Sequence, residues 1–235
     1  MKILVAIPTY NEFGNIKLLI QEIIKQKLNA DILFIDDSSN DGTQTVIKSF
    51  QKNFLNIKLI TRDKKMGVGS AHLKAIEYAY SENYNIIITM DADFTHNPKY
   101  ISEMIRQKDG YEMVIGSRHL KKDSIKSWPL FRKSLTYLAF FVTKNLLKIN
   151  FDATSGFRLY NIDQIDKNLF SNIKSSSYSF FVESSYILNL KIKVKAIPID
   201  MPIRFAEKSK MNLLDMFSTV FLIIKLFFKR ATLQS

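Results

Sequence analysis

The sequence predicts an α/β fold with a mostly parallel central sheet and helices on both of its faces. Three observations lead there. Up to about residue 120, short runs rich in β-branched residues alternate with longer segments of helical period. Polar turns bound each run. Acids or polar turns follow three of the runs, where sheets of this class hold their ligands.

The runs at residues 3–7, 32–35, 57–60, 86–90 and 113–115 read as buried strands. The first intervening helix, 15–27, places Ile16, Leu19, Ile20, Ile23 and Ile24 on one face. Asp41 is the expected N-cap of the second, with Gln44 three residues on completing a capping box. Segments 70–80 and 98–106 read as the next two, with Pro98 in a first turn. Beyond residue 120 the pattern changes. A long helix is expected over 132–149, a short strand over 154–160, a helix over 178–190 and a strand over 192–197. A final helix, 212–230, is apolar on most sides and ends in Lys225, Lys229 and Arg230. Residues 1–211 therefore read as one α/β domain and 212–235 as a C-terminal amphipathic helix suited to a membrane surface.

The 235 residues suffice for one such domain, and 46% hydrophobic with 24% charged residues is ordinary for a folded chain. The net charge of +12 points to a polyanionic partner: nucleic acid, anionic lipid or a phosphorylated ligand. With no cysteine, disulfides, thiol catalysis and cysteine-ligated zinc are excluded. The apolar run at the N-terminus ends at Pro8, too short for a signal peptide. The longest later one, 216–224, is well under the roughly 20 residues that span a bilayer.

Three strand ends carry the residues suited to chemistry. They are Pro8-Thr9-Tyr10-Asn11-Glu12, the stretch Ile35-Asp36-Asp37 through Asp41-Gly42-Thr43, and Asp91-Ala92-Asp93-Phe94-Thr95-His96. At i, i+2 spacing in extended chain, Asp91 and Asp93 fall on one side. Hard carboxylate oxygens there suit Mg2+ or Mn2+, which complete their shells with water and substrate phosphates. Asp37 can accept hydrogen bonds from a base or ribose, Asp36 can hold its loop, and Tyr10 can stack on a base. Glu12 stands as a ligand group or as an acid near a helix N-terminus. Arg118, Arg132, Arg158, Arg204 and Lys210 are candidates to neutralise a diphosphate. Gly67-Val68-Gly69-Ser70-Ala71 opens a helix like a dinucleotide turn, but His72 stands in place of the third glycine and the motif follows the third strand. No Ser-His-Asp arrangement stands out among three histidines.

Together these segments resemble the family-2 inverting glycosyltransferases, and within them the polyprenol (dolichyl) phosphate mannose synthases. The resemblance runs from Ile3 to about Met211. It rests on the three strand-end segments, His96 and Pro98, Gly116-Ser117-Arg118, Trp128-Pro129 with Arg132, Ser155-Gly156-Phe157-Arg158, and Pro198-Ile199 with Arg204, Ser209 and Lys210. It implies a GT-A type fold and a nucleotide-sugar pocket built from Pro8, Tyr10, Glu12, Ile35, Asp37, Asp91, Ala92, Asp93, Arg118, Arg204 and Lys210. It implies metal binding by Asp91 and Asp93 with Thr95 beside them, catalytic weight on Asp93 and Arg118, and an acceptor phosphate facing Arg132 and Arg158. The implied reaction is transfer of mannose from GDP-mannose to a polyprenyl phosphate, with inversion, at the cytoplasmic face of a membrane. A membrane-anchoring subunit is an expected partner and nucleic acid is not. Three departures stand out: Thr95 where relatives carry Gln or Ser, Lys121-Lys122-Asp123 where they carry glycines, and Glu207 in place of a loop glycine.

No general base is expected, because an acceptor phosphate is already largely ionised near pH 7; Glu183 is an orienter at most. Three alternatives stay open on sequence. One is a related transferase using a UDP-sugar, since nothing near Asp37 settles the base. Another is a haloacid dehalogenase-type phosphatase, in which Asp91 of Asp91-Ala92-Asp93-Phe94-Thr95 would be the nucleophile. The last is a nucleotide-sugar binding subunit without turnover.

Overall fold

The computed structural model describes residues 1–206 and 213–234. Its centre is a seven-stranded sheet in the order β3-β2-β1-β4-β6-β5-β7. The strands are β1 (Ile3–Thr9), β2 (Ala30–Asp36), β3 (Ile57–Thr61), β4 (Ile86–Thr89), β5 (Met113–Ser117), β6 (Arg158–Asn161) and β7 (Val194–Pro198). Their pairings are parallel except where β6 runs antiparallel to both β4 and β5. The mostly parallel α/β expectation therefore holds, and the interruption lies where the sequence pattern changed. The strand expected at 154–160 begins only at Arg158, because residues 152–155 turn instead: Ser155 N donates to Asp152 O at 3.1 Å.

Period-two alternation sends successive side chains to opposite faces and so builds two cores. Leu4, Ala6, Leu33 and Ile35 pack under Ala75, Ile76, Phe180 and Phe181, from helices α3 (Val68–Ser81) and α7 (Ser179–Asn189). On the other face, Val5, Ile7 and Phe34 meet Ile16, Leu19 and Ile20 of α1 (Phe13–Lys25) and Ile47 of α2 (Thr43–Gln51). Helix α4 (Ile101–Arg106), entered through a 3-10 turn at Pro98–Tyr100, adds Ile101 and Met104 to that face. The capping box expected at Asp41 is not formed. Gly42, at φ 99°, is the N-cap of α2, Asp41 Oδ1 accepts from Thr43 N, and the Gln44 side chain donates to Asp36 Oδ1 at 2.7 Å.

Helix α5 (Leu130–Leu146) contributes Thr143 as its one buried residue and leaves Leu130, Phe131, Tyr137, Leu138 and Phe141 exposed. A short helix, α6 (Lys167–Ser171), leads into α7. Helix α8 (Leu213–Gln234) lies on α7 through the buried Ile223 and Leu226. No helix among the described residues is long and apolar enough to cross a membrane.

Candidate active site

Parallel β1, β2 and β4 deliver their polar ends to one edge of the sheet, where a cleft of about 380 Å3 opens. Pro8, Tyr10, Glu12, Asp37, Asp91, Ala92 and Asp93 line it from the strand ends, and Arg204 closes over it.

Asp36 does not reach the cleft. It is fully buried and accepts from Thr9 Oγ1 (2.8 Å), Ser39 N (2.9 Å), Ser39 Oγ (2.6 Å) and Gln44 Nε2 (2.7 Å). It ties the β1 and β2 loops together and so places Asp37 at the cleft wall. Asp37 is held in turn by Arg62, whose Nε donates to Oδ1 at 2.5 Å, and by Met66 N, which donates to Oδ2 at 2.9 Å.

After β4 the chain turns through Phe94 at φ 64°. That turn lets Thr95 N and Oγ1 donate to Asp93 Oδ1, at 3.1 and 2.6 Å, while Arg204 Nε donates to Oδ2. Burial alone would raise the Asp93 carboxyl, but the Thr95 bonds and Arg204 outweigh it and hold it low. Asp91 is the opposite case. Among the described residues its carboxylate accepts no hydrogen bond, and burial together with the neighbouring Asp93 pushes it up. Its backbone N donates to His96 Nδ1 at 2.9 Å, which makes that nitrogen an acceptor, so the 3.6 Å approach of Asp91 Oδ2 is no ion pair. His96 is stacked on Phe157 and held neutral by burial.

Such a pair fits a divalent cation: one carboxylate is braced, and the other faces the cleft unsatisfied. Among the described residues no cluster of three or more His, Asp or Glu is gathered. The described residues thus offer a pair of carboxylates, which suits Mg2+ or Mn2+ with water and phosphate oxygens filling the remaining positions.

Beside the cleft two arginines, Arg118 and Arg132, converge on Trp128, with the charge of Arg204 nearby. The Arg132 guanidinium lies 3.7 Å from the indole centroid and that of Arg118 lies 5.7 Å away. Arg118 is anchored by Asp152, at 2.7 Å from Nε to Oδ2. Arg204 is anchored by Asp93. Arg132 has no hydrogen bond or ion pair among the described residues. Burial and the like charges of Arg204 and Arg118 push its pKa down. A half-buried cation beside two others, without an anion of its own, is a place for a bound one.

Residues 4–169 match the family described as Glycosyl transferase family 2. The chain belongs to this family. It is 30% identical, over 213 residues, to the polyprenol monophosphomannose synthase of Mycolicibacterium smegmatis, spanning 89% of this chain and 80% of that one. It is 27% identical, over 214 residues, to the undecaprenyl-phosphate mannosyltransferase of Micrococcus luteus, spanning 90% and 88%. In fold it resembles mannosyl-3-phosphoglycerate synthase from Rubrobacter xylanophilus, at a TM-score of 0.64 and 16% identity over 100% of this chain and 75% of that one. A mannosyltransferase from Pyrobaculum calidifontis, solved with GDP-Man and Mn2+, aligns at a TM-score of 0.59 and 13% identity over 98% and 64%.

In this family-2 glycosyltransferase, with its GT-A type fold, the nominated residues do not all gather at the site. Ile35 is fully buried in the core beneath α3, so its side chain offers a ligand nothing. Arg158 is fully buried as well and cannot meet an acceptor phosphate. Its nitrogens donate to the carbonyls of Ala153, Ser155 and Phe181 and to the hydroxyls of Tyr160, Ser184 and Ser185. Thr95 points its hydroxyl at Asp93 and braces that carboxylate instead of facing a metal. Glu183 Oε2 accepts from Lys174 N and Ser175 N, which makes it a loop cap rather than an orienter. Lys210 and Glu207 lie outside the described residues.

The glycosyltransferase cleft also has walls that sequence reasoning passed over. Lys65 lines it with its Nζ 4.7 Å from the Tyr10 ring centroid. Ser177, Tyr178 and Asp215 line the far side, with Ser177 Oγ donating to Asp215 Oδ1. The Gly67-Val68-Gly69 motif serves close packing. A Cβ at Gly69 would fall 2.4 Å from that of Phe180, and one at Gly67 would fall 2.5 Å from Ser176 O. Strand-end position was a usable signal for Arg62, which directly follows β3 as Asp37 follows β2.

Proposed function

We propose that this glycosyltransferase moves mannose from GDP-mannose to a polyprenyl phosphate, with inversion and with help from Mg2+ or Mn2+. The observation that carries the reading is Arg132: a cation with no ion pair among the described residues, set near Arg118, Arg204 and Trp128 beside the Asp91–Asp93 pair. The names of the two relatives by sequence point to the same acceptor and sugar, and the Pyrobaculum neighbour, a likeness of fold, was solved with GDP-Man and Mn2+.

In this reading Pro8, Tyr10, Glu12 and Asp37 receive the nucleoside, and Asp91 and Asp93 hold the cation. A cation held by these two carboxylates would supply positive charge against the departing diphosphate. Arg204 lines the donor cleft and, once phosphate oxygens enter, can share its charge between them and Asp93. Arg132, with Arg118 behind it, takes the acceptor phosphate, which attacks the anomeric carbon in line. An ionised phosphate needs no base, in keeping with Glu183 being committed to its loop. Residues 1–211 form the catalytic domain, while α5 and the helix within 212–235 meet the cytoplasmic face of a membrane, where an anchoring subunit would also bind.

The test is a transfer assay with a short polyprenyl phosphate, Mg2+ or Mn2+, and labelled GDP-mannose, UDP-glucose and UDP-GlcNAc in parallel. Label enters the lipid from GDP-mannose, and Asp91→Asn lowers turnover about 100-fold or more without lowering Tm, since the charge it removes accepts no hydrogen bond among the described residues and stands beside that of Asp93. Label from a UDP-sugar instead would replace the donor and keep the mechanism. Nucleotide binding without lipid label would move the protein to another acceptor.

A further inference from the structure

We infer that Arg62 is the positioning residue that sets the nucleoside end of the cleft, an inference that rests on the donor reading above. Arg62 does not line the cleft; it stands behind it. Its Nε donates to Asp37 Oδ1 at 2.5 Å, and Nη2 lies in ion-pair contact with the same oxygen. Nη1 donates to Ser70 Oγ at 2.7 Å and Nη2 to Gly67 O at 3.2 Å. Its backbone is fixed as well: Arg62 N donates to Asp36 O at 2.8 Å, and Ser38 Oγ donates to Arg62 O at 2.6 Å. The two side chains are 9% and 7% exposed, so water does little to loosen the pair.

One planar guanidinium therefore reaches two walls of the nucleoside end. On one side it fixes the plane of the Asp37 carboxylate; on the other it fixes the first turn of α3, where Gly67, Val68 and Ala71 face the cleft. A carboxylate has about four lone-pair positions. Arg62 Nε takes one of them on Oδ1, with Nη2 against that same oxygen, and Met66 N takes one on Oδ2. That leaves Oδ2 with an open acceptor position, suited to an N–H of a base or a ribose O–H. With Arg62 removed, Asp37 would be free to rotate, and the ordering would have to occur at each binding event, weakening donor affinity. A lysine keeps the charge but not the fork, and restores only part of the geometry.

The experiment measures GDP binding by calorimetry, together with donor KM, acceptor KM and kcat, for the wild type, Arg62→Lys, Arg62→Ala, Asp37→Ala and the double variant Arg62→Ala/Asp37→Ala. Thermal unfolding is recorded for each. Arg62→Ala raises the GDP Kd and donor KM about tenfold or more, leaves acceptor KM unchanged and changes kcat at saturating donor little. Arg62→Lys falls between, and Arg62→Ala costs less once Asp37 is gone than it does alone, the remainder being its hold on Ser70 and Gly67. Should the alanine variant not fold, Arg62→Lys carries the comparison. Unchanged donor KM, a raised acceptor KM, or additive losses in the double variant would each overturn the role given to Arg62. Failure of the wild type to bind GDP or UDP at all would instead remove the donor reading and this inference with it.

Discussion

Two arginines with similar sequence settings, Arg118 and Arg158, end in opposite environments. Arg118 leans on a buried carboxylate, Asp152, beside the cleft. Burial would raise that carboxyl, but Arg118, His119 and Thr154 outweigh it and hold it low. Among the described residues Arg158 has no acid against it, and it instead gathers carbonyls and hydroxyls from residues 153–160 and α7. Arg158→Ala would leave several buried acceptors unpaired, each costing roughly 1–3 kcal/mol. The expected loss is on the order of 3–5 kcal/mol in urea unfolding. A role at the acceptor phosphate predicts otherwise: near-native stability with a raised acceptor KM. The acids were legible in the sequence because position after a strand is enough to bring them to the cleft. The arginines were not, because a long side chain can run forward to a ligand or fold back into the core, and only the packing of α7 decides which. Arg62 was missed for a related reason: its charge is spent on Asp37, a pairing of residues 25 positions apart.

Among the elements, the strands were legible as short β-branched runs, and both sheet faces followed from their alternation. What the pattern did not reveal was the direction of β6, because a four-residue strand carries no sign of its polarity. Helices α5 and α8 raise a different question, since their period is clear and their partners are not. In α5 the exposed Leu130, Phe131, Tyr137, Leu138 and Phe141 fall within about a third of the circumference at 100° per residue. In α8 the exposed Leu214, Phe217, Phe221, Ile224 and Phe228 form one stripe, roughly opposite the Ile223 and Leu226 that pack inward. Arg230 Nη1 donates to Leu146 O at 3.1 Å and joins the two helix ends. Apolar stripes with lysines nearby are the pattern of helices that lie in a membrane interface. The double variant Phe131→Glu/Phe141→Glu should reduce sedimentation with vesicles containing anionic lipid by about tenfold or more. It should leave Tm near that of the parent, because neither ring is buried. Equal sedimentation of variant and parent would mean that α5 does not meet the bilayer.

Across the whole molecule the three histidines share a property that couples folding to acid. All have pKa values depressed by burial. The extreme is His72, pushed down to about 3, where α3 meets α7. It stacks on Phe180 at 5.4 Å and meets the edge of Phe181 at 5.1 Å, and neither ring nitrogen has a hydrogen-bond partner among the described residues. The unfolded chain takes up a proton at His72 near pH 6.5, while the folded protein refuses it until about pH 3. A base with its folded pKa depressed contributes stability that is complete above pH 6.5 and falls as the pH drops through that window. The slope from His72 alone is about 1.4 kcal/mol per pH unit, and the total by pH 3 is on the order of 4–5 kcal/mol. The depressed carboxyls of Asp93 and Asp152 act in the same direction, but only below about pH 4. Urea midpoints measured from pH 7.5 to 5 separate the two groups, since carboxylates contribute little there. A decline beginning near pH 6.5, made shallower by His72→Phe, is the expected result. A flat midpoint over that range would mean that His72 takes up its proton without unfolding the contact between α3 and α7, and that this seam, which also forms one wall of the cleft, opens to water.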